Sequence, residues 1–92
     1  MVKVLGSESR NQFKRSLRRA IKRGRDIEKL ISVIKQIEQG TLPPKHKDHA
    51  LKGSYIGHRE CHIEGDWLLV YRFEEDTLIL VDTGSHSDIF DM

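Results

Sequence analysis

The strongest constraint on this chain is the stretch from His58 to Phe73, HRECHIEGDWLLVYRF, which reads as two strands of one hairpin. From Arg59 to Glu64, apolar Cys61 and Ile63 alternate with polar Glu60, His62 and Glu64, the period-2 signature of a half-buried strand. Trp67 to Phe73 is almost wholly apolar or aromatic, as suits a central strand covered on both faces. Glu64-Gly65-Asp66 supplies the turn, because glycine accepts a positive φ and aspartate bonds its own backbone. The bend is therefore expected to display His62, Asp66 and Trp67 together, with Trp67 exposed.

Ninety-two residues, 37% apolar and 33% charged, are expected to form a single domain, residues 1–92, around one small core. No apolar run reaches the roughly 20 residues of a membrane span, and MVKVLGSESR lacks a secretory leader's apolar run. A cytoplasmic protein without membrane contact is expected. The lone Cys61 occupies an apolar strand position, where a thiol behaves as a small hydrophobe.

Charge is divided unevenly. Residues 1–59 hold fifteen Lys and Arg against five Asp and Glu, and residues 60–92 hold one against nine. Either the basic half meets a polyanion such as RNA, or the halves interdigitate and neutralise each other; charge alone does not decide between them.

Before the hairpin, Met1 to Leu5 is expected as a short edge strand, and Ser9-x-x-Gln12 has the form of a capping box opening a helix. In that helix Phe13, Leu17, Ala20 and Ile21 share a face, and the remainder is basic: Lys14, Arg15, Arg18, Arg19, Lys22 and Arg23, then Arg25. Gly24 stops it and Asp26 caps a second helix, whose stripe is Ile27, Leu30, Ile31, Ile34 and Ile37 and which Gly40 ends. Pro43 and Pro44 stiffen the loop Thr41 to Ala50 and forbid helix there, and Leu51 to Ile56 reads as a strand. After the hairpin, Thr77 to Thr83 is a last strand and Ser87 to Phe90 a final helical turn. The expected architecture is α+β: a short N-terminal strand, a two-helix hairpin packed on a four-stranded antiparallel sheet, and a C-terminal helical turn.

The five histidines, His46, His49, His58, His62 and His86, raise metal binding first. His58 and His62 have the spacing of a helical zinc pair, but on a strand they stand about 13 Å apart and cannot share an ion. His46-x-x-His49 lacks a cysteine pair or a carboxylate at the usual spacing, so no metal and no cofactor is expected. Acid and base chemistry on RNA fits better. RNA carries its own nucleophile, the 2′-OH, so a protein need supply only a base, an acid and cations for the phosphoryl charge. His49, His62, His86 and Asp66 lie at boundaries that an antiparallel sheet can bring together. Arg59 and Lys47 are candidate cations, and Trp67 and Phe90 are candidate stacking partners for a base, with a core position at a strand start the competing reading for Trp67. Arg59 shares a strand face with Cys61 and Ile63, so a structural ion pair under the sheet is the competing reading for it.

Three motifs, Asp48-His49-Ala50-Leu51-Lys52-Gly53, then Arg59 to Tyr71, then Thr83-Gly84-Ser85-His86-Ser87-Asp88-Ile89-Phe90, resemble in order and spacing the YafQ-type toxins of the RelE/ParE superfamily. The resemblance runs from about Leu42 to Phe90, with Ala50 where related sequences often carry proline. It implies a RelE-like fold and a ribosome-dependent mRNA endonuclease of a bacterial type II toxin-antitoxin pair. A cognate antitoxin would neutralise it, and operator DNA would be met only through their complex. Carried over, the family's catalytic positions fall on His49, His62, Asp66 and His86, with Trp67 and Phe90 beside them. The basic residues Lys14 to Arg25 are then expected to grip ribosomal RNA. The alternative is a ParE-like toxin on the same fold, which inhibits an enzyme such as gyrase by binding and cuts no RNA.

Overall fold

Eight regular elements make up the computed structural model, which describes residues 6–90: β1 (Gly6–Ser9), α1 (Asn11–Lys22), α2 (Ile27–Gln39), β2 (His49–Ala50), β3 (Arg59–Glu64), β4 (Trp67–Glu74), β5 (Thr77–Gly84) and α3 (His86–Phe90). The strands form one sheet in the order β1-β5-β4-β3-β2. All neighbours are antiparallel except β1 and β5, which run parallel with Gly6 opposite Thr77. The expected strand at Met1 to Leu5 lies outside the described residues.

The apolar run in β4 is explained by what covers it. Trp67, Leu69 and Tyr71 face α1 and α2 together with Cys61, Ile63, Leu78 and Leu80, while Leu68 and Val70 face the opposite side with Ile89. Each fully buried aliphatic side chain here contributes about 1.5–3 kcal/mol. On the second side the cover is only partial, made by α3 and the loop residues Leu51 and Tyr55. Cys61 is buried, and loss of solvent pushes its thiol up to about 12, so it is core rather than a nucleophile.

Several local expectations are corrected. Ser9 does not cap α1; the N-cap is Arg10, without a side-chain cap, because Ser9 pairs with Leu80 in the sheet and the Arg10 N–H donates to the Leu80 carbonyl at 3.0 Å. The buried face of α1 is Phe13, Ser16 and Ala20, and Ile21 is exposed. Ser16 is tolerated inside because its hydroxyl donates to Asp82 at 2.5 Å. On α2 the buried stripe is Leu30, Val33 and Ile37, with Ile31 43% exposed. Asp26 caps α2 as expected, accepting from the Glu28 N–H at 3.0 Å. Pro44 opens a 3-10 turn over Pro44–His46, where its missing N–H costs nothing. Leu51 to Ile56 is not a strand: β2 is limited to His49–Ala50, and Gly53–Tyr55 forms another 3-10 turn.

Candidate active site

Strand parity places the site. On β3, Arg59, Cys61 and Ile63 point toward the helices, so Glu60 and His62 point to the partly covered side. His49 stands directly opposite Glu60 across β2 and β3 and shares that face. Pairing then slips from His62–Leu68 to Glu64–Trp67, leaving Ile63 as the extra residue of a bulge that re-aims the strand end. Beyond the bulge, Gly65 takes φ 51 in the tight turn, and its carbonyl accepts from His62 Nδ1 at 3.3 Å.

His86 reaches the same face from the end of β5, at the start of α3. Here Ser85 and Asp88 cap each other reciprocally, with the Ser85 N–H donating to Asp88 Oδ2 at 3.0 Å and the Asp88 N–H to Ser85 Oγ at 3.1 Å. Arg23 grips the same carboxylate at 2.6 and 3.3 Å, and with Ser85 it holds the Asp88 carboxyl well below the usual carboxylate range. Gly84 is required beside this cap: a Cβ there would fall 2.8 Å from Asp88 Cβ. Asp66 accepts from both the backbone N–H of His86, at 3.0 Å, and its Nδ1, at 2.5 Å. These two bonds lower the Asp66 carboxyl, so it stays ionised, holds Nδ1 protonated and leaves Nε2 of His86 free.

The His62 and His86 rings meet edge to face with centroids 5.8 Å apart, and Phe90, one helical turn on, lies 6.3 Å from His86. Tyr55 packs on Phe90 at 5.5 Å and donates to the Ile89 carbonyl at 3.3 Å, which steadies the ring. His49 donates Nδ1–H to the Lys47 carbonyl at 2.8 Å, which leaves its Nε2 as an acceptor. One partly open face thus carries two hydrogen-bond-oriented imidazoles with free Nε2 atoms, a third imidazole, two carboxylates and an aromatic ring.

Not every expected residue joins them. Trp67 is fully buried on the helix side, with Nε1 donating to Thr83 Oγ1 at 2.9 Å, so its ring is not available to stack on a base. Its parity is that of Leu69 and Tyr71, which sends it into the core. Arg59 also lies on the helix side, bound to Asp48 at 2.7 Å, while Asp48 in turn accepts from the Tyr71 hydroxyl. The structural ion pair is the reading that holds. His46 and His58 are tied into loops, His46 donating to the His62 carbonyl at 2.7 Å and thereby covering the β3 edge that the short β2 leaves bare. Lys47 lines an open groove of about 630 Å³ with Lys29, Lys45, His46 and His62.

Glu60 joins the site although no sequence motif marks it; its position two residues before His62, on the same strand face, is the signal the sequence holds. It is 3% exposed, and Oε1 lies 3.5 Å from His62 Nε2. Ligand atoms of Glu60, His62 and His86 lie within 4.8 Å of one another, close enough to share one ion. The fold thus supplies the carboxylate that the sequence spacing lacked, and a mixed imidazole and carboxylate set suits copper or zinc.

Together, the helix-covered sheet with its parallel edge strand and the histidine and carboxylate face make this a small α+β domain of RelE-like fold. A family model described as the bacterial toxin of type II toxin-antitoxin systems, YafQ, matches residues 5–91, and the chain belongs to that family. The mRNA interferase toxin YafQ of Escherichia coli strain K12 is 35% identical over 85 residues, 90% of this chain and 92% of that protein. In a crystal structure of the E. coli DinJ-YafQ complex the matching chain is 35% identical, with a TM-score of 0.83 over 91% of this chain and 96% of that one. A copper-bound mutant toxin from Helicobacter pylori is 37% identical, with a TM-score of 0.86 over 98% and 100% of the two chains.

Proposed function

We propose that this protein is a ribosome-dependent endoribonuclease that cuts mRNA in the ribosomal A site by activating the 2′-OH of its substrate. The observation that supports this reading is that His62, Asp66 and His86 meet beside Phe90 at one end of the sheet, with His49 on the same face opposite Glu60. Its support from outside the geometry is the similarity to a YafQ that is an mRNA interferase.

In this reading Nε2 of His49 takes the 2′ proton, and the 2′-oxygen bonds to phosphorus as the P–O5′ bond breaks. Protonated His86, held by Asp66, gives the Nε2 proton to the departing 5′-oxygen. The products are a 2′,3′-cyclic phosphate and a 5′-OH. His62 and Glu60 bound the phosphoryl position, and Phe90 takes the stacking role that buried Trp67 cannot. No step requires a metal. The exposed basic face of α1 would bind ribosomal RNA, a cognate antitoxin comparable to DinJ would neutralise the toxin in the cytoplasm, and their complex would meet operator DNA.

The test is to map 5′ ends on translated and untranslated message with wild type and His86→Ala. Cleavage confined to translated message, reduced about 10²-fold or more by the substitution, is expected, as is full activity in EDTA. Intact transcripts accompanied by DNA damage would instead identify a ParE-like inhibitor.

A further inference from the structure

The proposed base, His49, sits on the shortest strand of the sheet. β2 pairs His49 with Glu60 and Ala50 with Arg59, and both of its residues are exposed. Backbone pairing of that length, without buried side chains, belongs to the part of a fold that opens most readily. Proton transfer tolerates little of this, because a misplacement of about 1 Å can cost about 10²-fold in rate.

The residue just before His49 is held from two sides. Asp48 Oδ1 accepts from Arg59 Nε at 2.7 Å, and Oδ2 accepts from the Tyr71 hydroxyl. Arg59 on β3 stands directly opposite Tyr71 on β4, so one carboxylate ties the entrance of β2 to both strands. Tyr71 is 1% exposed, and burial raises its hydroxyl above the ordinary value, which keeps it a donor. These contacts lie on the helix side, and consecutive side chains of an extended chain alternate between faces. A hold on Asp48 from the helix side therefore directs His49 to the face that carries Glu60 and His62. Lys47 sets the other flank. Its φ of 51 puts it in the left-handed region, its N–H donates to the Pro44 carbonyl at 3.0 Å, and its own carbonyl takes the His49 Nδ1–H bond at 2.8 Å. That backbone shape is secured by the Pro44 turn at one end and by the Asp48 contacts at the other.

We infer that Asp48, gripped by Arg59 and Tyr71, is the positioning residue for His49, fixing the ring and its Nδ1–H tautomer so that Nε2 faces the 2′-hydroxyl. This rests on the endonuclease reading, in which His49 is the base, and deepens it. Asp48 touches no substrate and moves no proton. Arg59, expected from sequence to meet the RNA, acts instead on the base from the opposite face of the sheet. Tyr71 is its partner in that task as well as a core residue.

Asp48→Ala, Asp48→Asn, Tyr71→Phe and His49→Ala are compared in single-turnover cleavage on programmed ribosomes, with ribosome affinity and thermal unfolding measured alongside. Ring ¹⁵N shifts of neutral His49, recorded in a His86→Ala background, report which nitrogen carries the proton. The parent is expected to hold one tautomer, protonated at Nδ1, and the Asp48 and Tyr71 variants a mixture. Their kcat should fall about tenfold to a hundredfold, with affinity within about twofold of wild type. Asp48→Asn keeps one acceptor and should fall between wild type and Asp48→Ala. Tyr71→Phe preserves the core volume and serves where Asp48→Ala does not fold. In a His49→Ala background Asp48→Asn should slow cleavage no further, while its effect on unfolding persists. Lowered stability with kcat and tautomer both kept would make the three residues a structural clamp only and overturn the assignment. A full additional loss of rate in the His49→Ala background also overturns it, since Asp48 would then act through another group. In either case an inactive His49→Ala leaves the endonuclease reading standing; if His49→Ala and His86→Ala both cleave like wild type, that reading has failed and the assignment falls with it.

Discussion

Thr83→Val tests the arrangement beneath the site. The two side chains have nearly the same shape, so the substitution removes one hydroxyl and leaves packing intact. That hydroxyl accepts from Trp67 Nε1 at 2.9 Å and donates to the Leu68 carbonyl at 2.7 Å. Both Thr83 and Trp67 are 0% exposed, so no water can replace it. A buried indole N–H left without an acceptor costs about 1–3 kcal/mol. For a domain of this size each kcal/mol shifts Tm by about 4–8 °C, so a loss near 2 kcal/mol corresponds to a fall of about 8–16 °C. Urea and thermal unfolding in a His86→Ala background, where the toxin can be produced, would measure it. Trp67→Phe deletes the donor, so in the double variant the two losses should be less than additive by about 1 kcal/mol or more. A single Thr83→Val variant melting within about 2 °C of its parent, or strictly additive losses in the cycle, would refute the reasoning.

Asp66→Asn removes the charge that holds His86 Nδ1 while leaving its backbone bond possible, and kcat should fall about tenfold to a hundredfold with KM nearly unchanged in single-turnover cleavage. A kcat within twofold of wild type would make Asp66 merely a turn residue. The Asp88 carboxyl is depressed in the folded protein, so its contribution to stability is complete above the ordinary carboxylate value of about 4 and is lost as pH falls toward the folded value. The stability difference between wild type and Asp88→Asn, followed by urea unfolding, should therefore shrink on acidification; a difference constant down to about pH 2 would contradict this. Copper or zinc held by Glu60, His62 and His86 would occupy imidazole nitrogens that the reaction needs. Added metal should lower cleavage reversibly with EDTA, and Glu60→Gln should weaken that inhibition in the same cleavage assay.

Much of this was legible because strands declare themselves by parity. The hairpin, its Gly65-Asp66 turn and the burial of Cys61 follow from residues alternating between two environments. The same parity, applied strictly, also sorts the site: Glu60 and His62 fall on one side, Arg59, Cys61 and Ile63 on the other. Proximity to a bend suggests exposure for Trp67, but its alternation with Leu69 and Tyr71 sends it into the core. What could not be read is what depends on distant partners. β1 is the polar segment GSES and becomes a strand only through parallel pairing with β5, and that pairing displaces the expected Ser9 cap. A two-residue β2 has no period to detect. Ser16 is buried because Asp82, 66 residues away, receives its hydroxyl.

The uneven charge of the sequence divides between the two readings it allowed. Arg23, Lys29 and Arg59 neutralise Asp88, Glu64 and Asp48, so part of the basic half does mesh with carboxylates. Among the described residues Lys14, Arg18, Arg19 and Lys22 are exposed on α1 and make no ion pair, so the rest remains available to a polyanion. The boundary between the two groups falls at the end of α1. Arg23, the next residue, is the one that clamps Asp88 and hence the short helix that begins with His86. A surface suited to ribosomal RNA and the side chain proposed to protonate the leaving group are therefore joined through a single ion pair. Displacing that pair should disturb His86 through the short helix that it shares with Asp88.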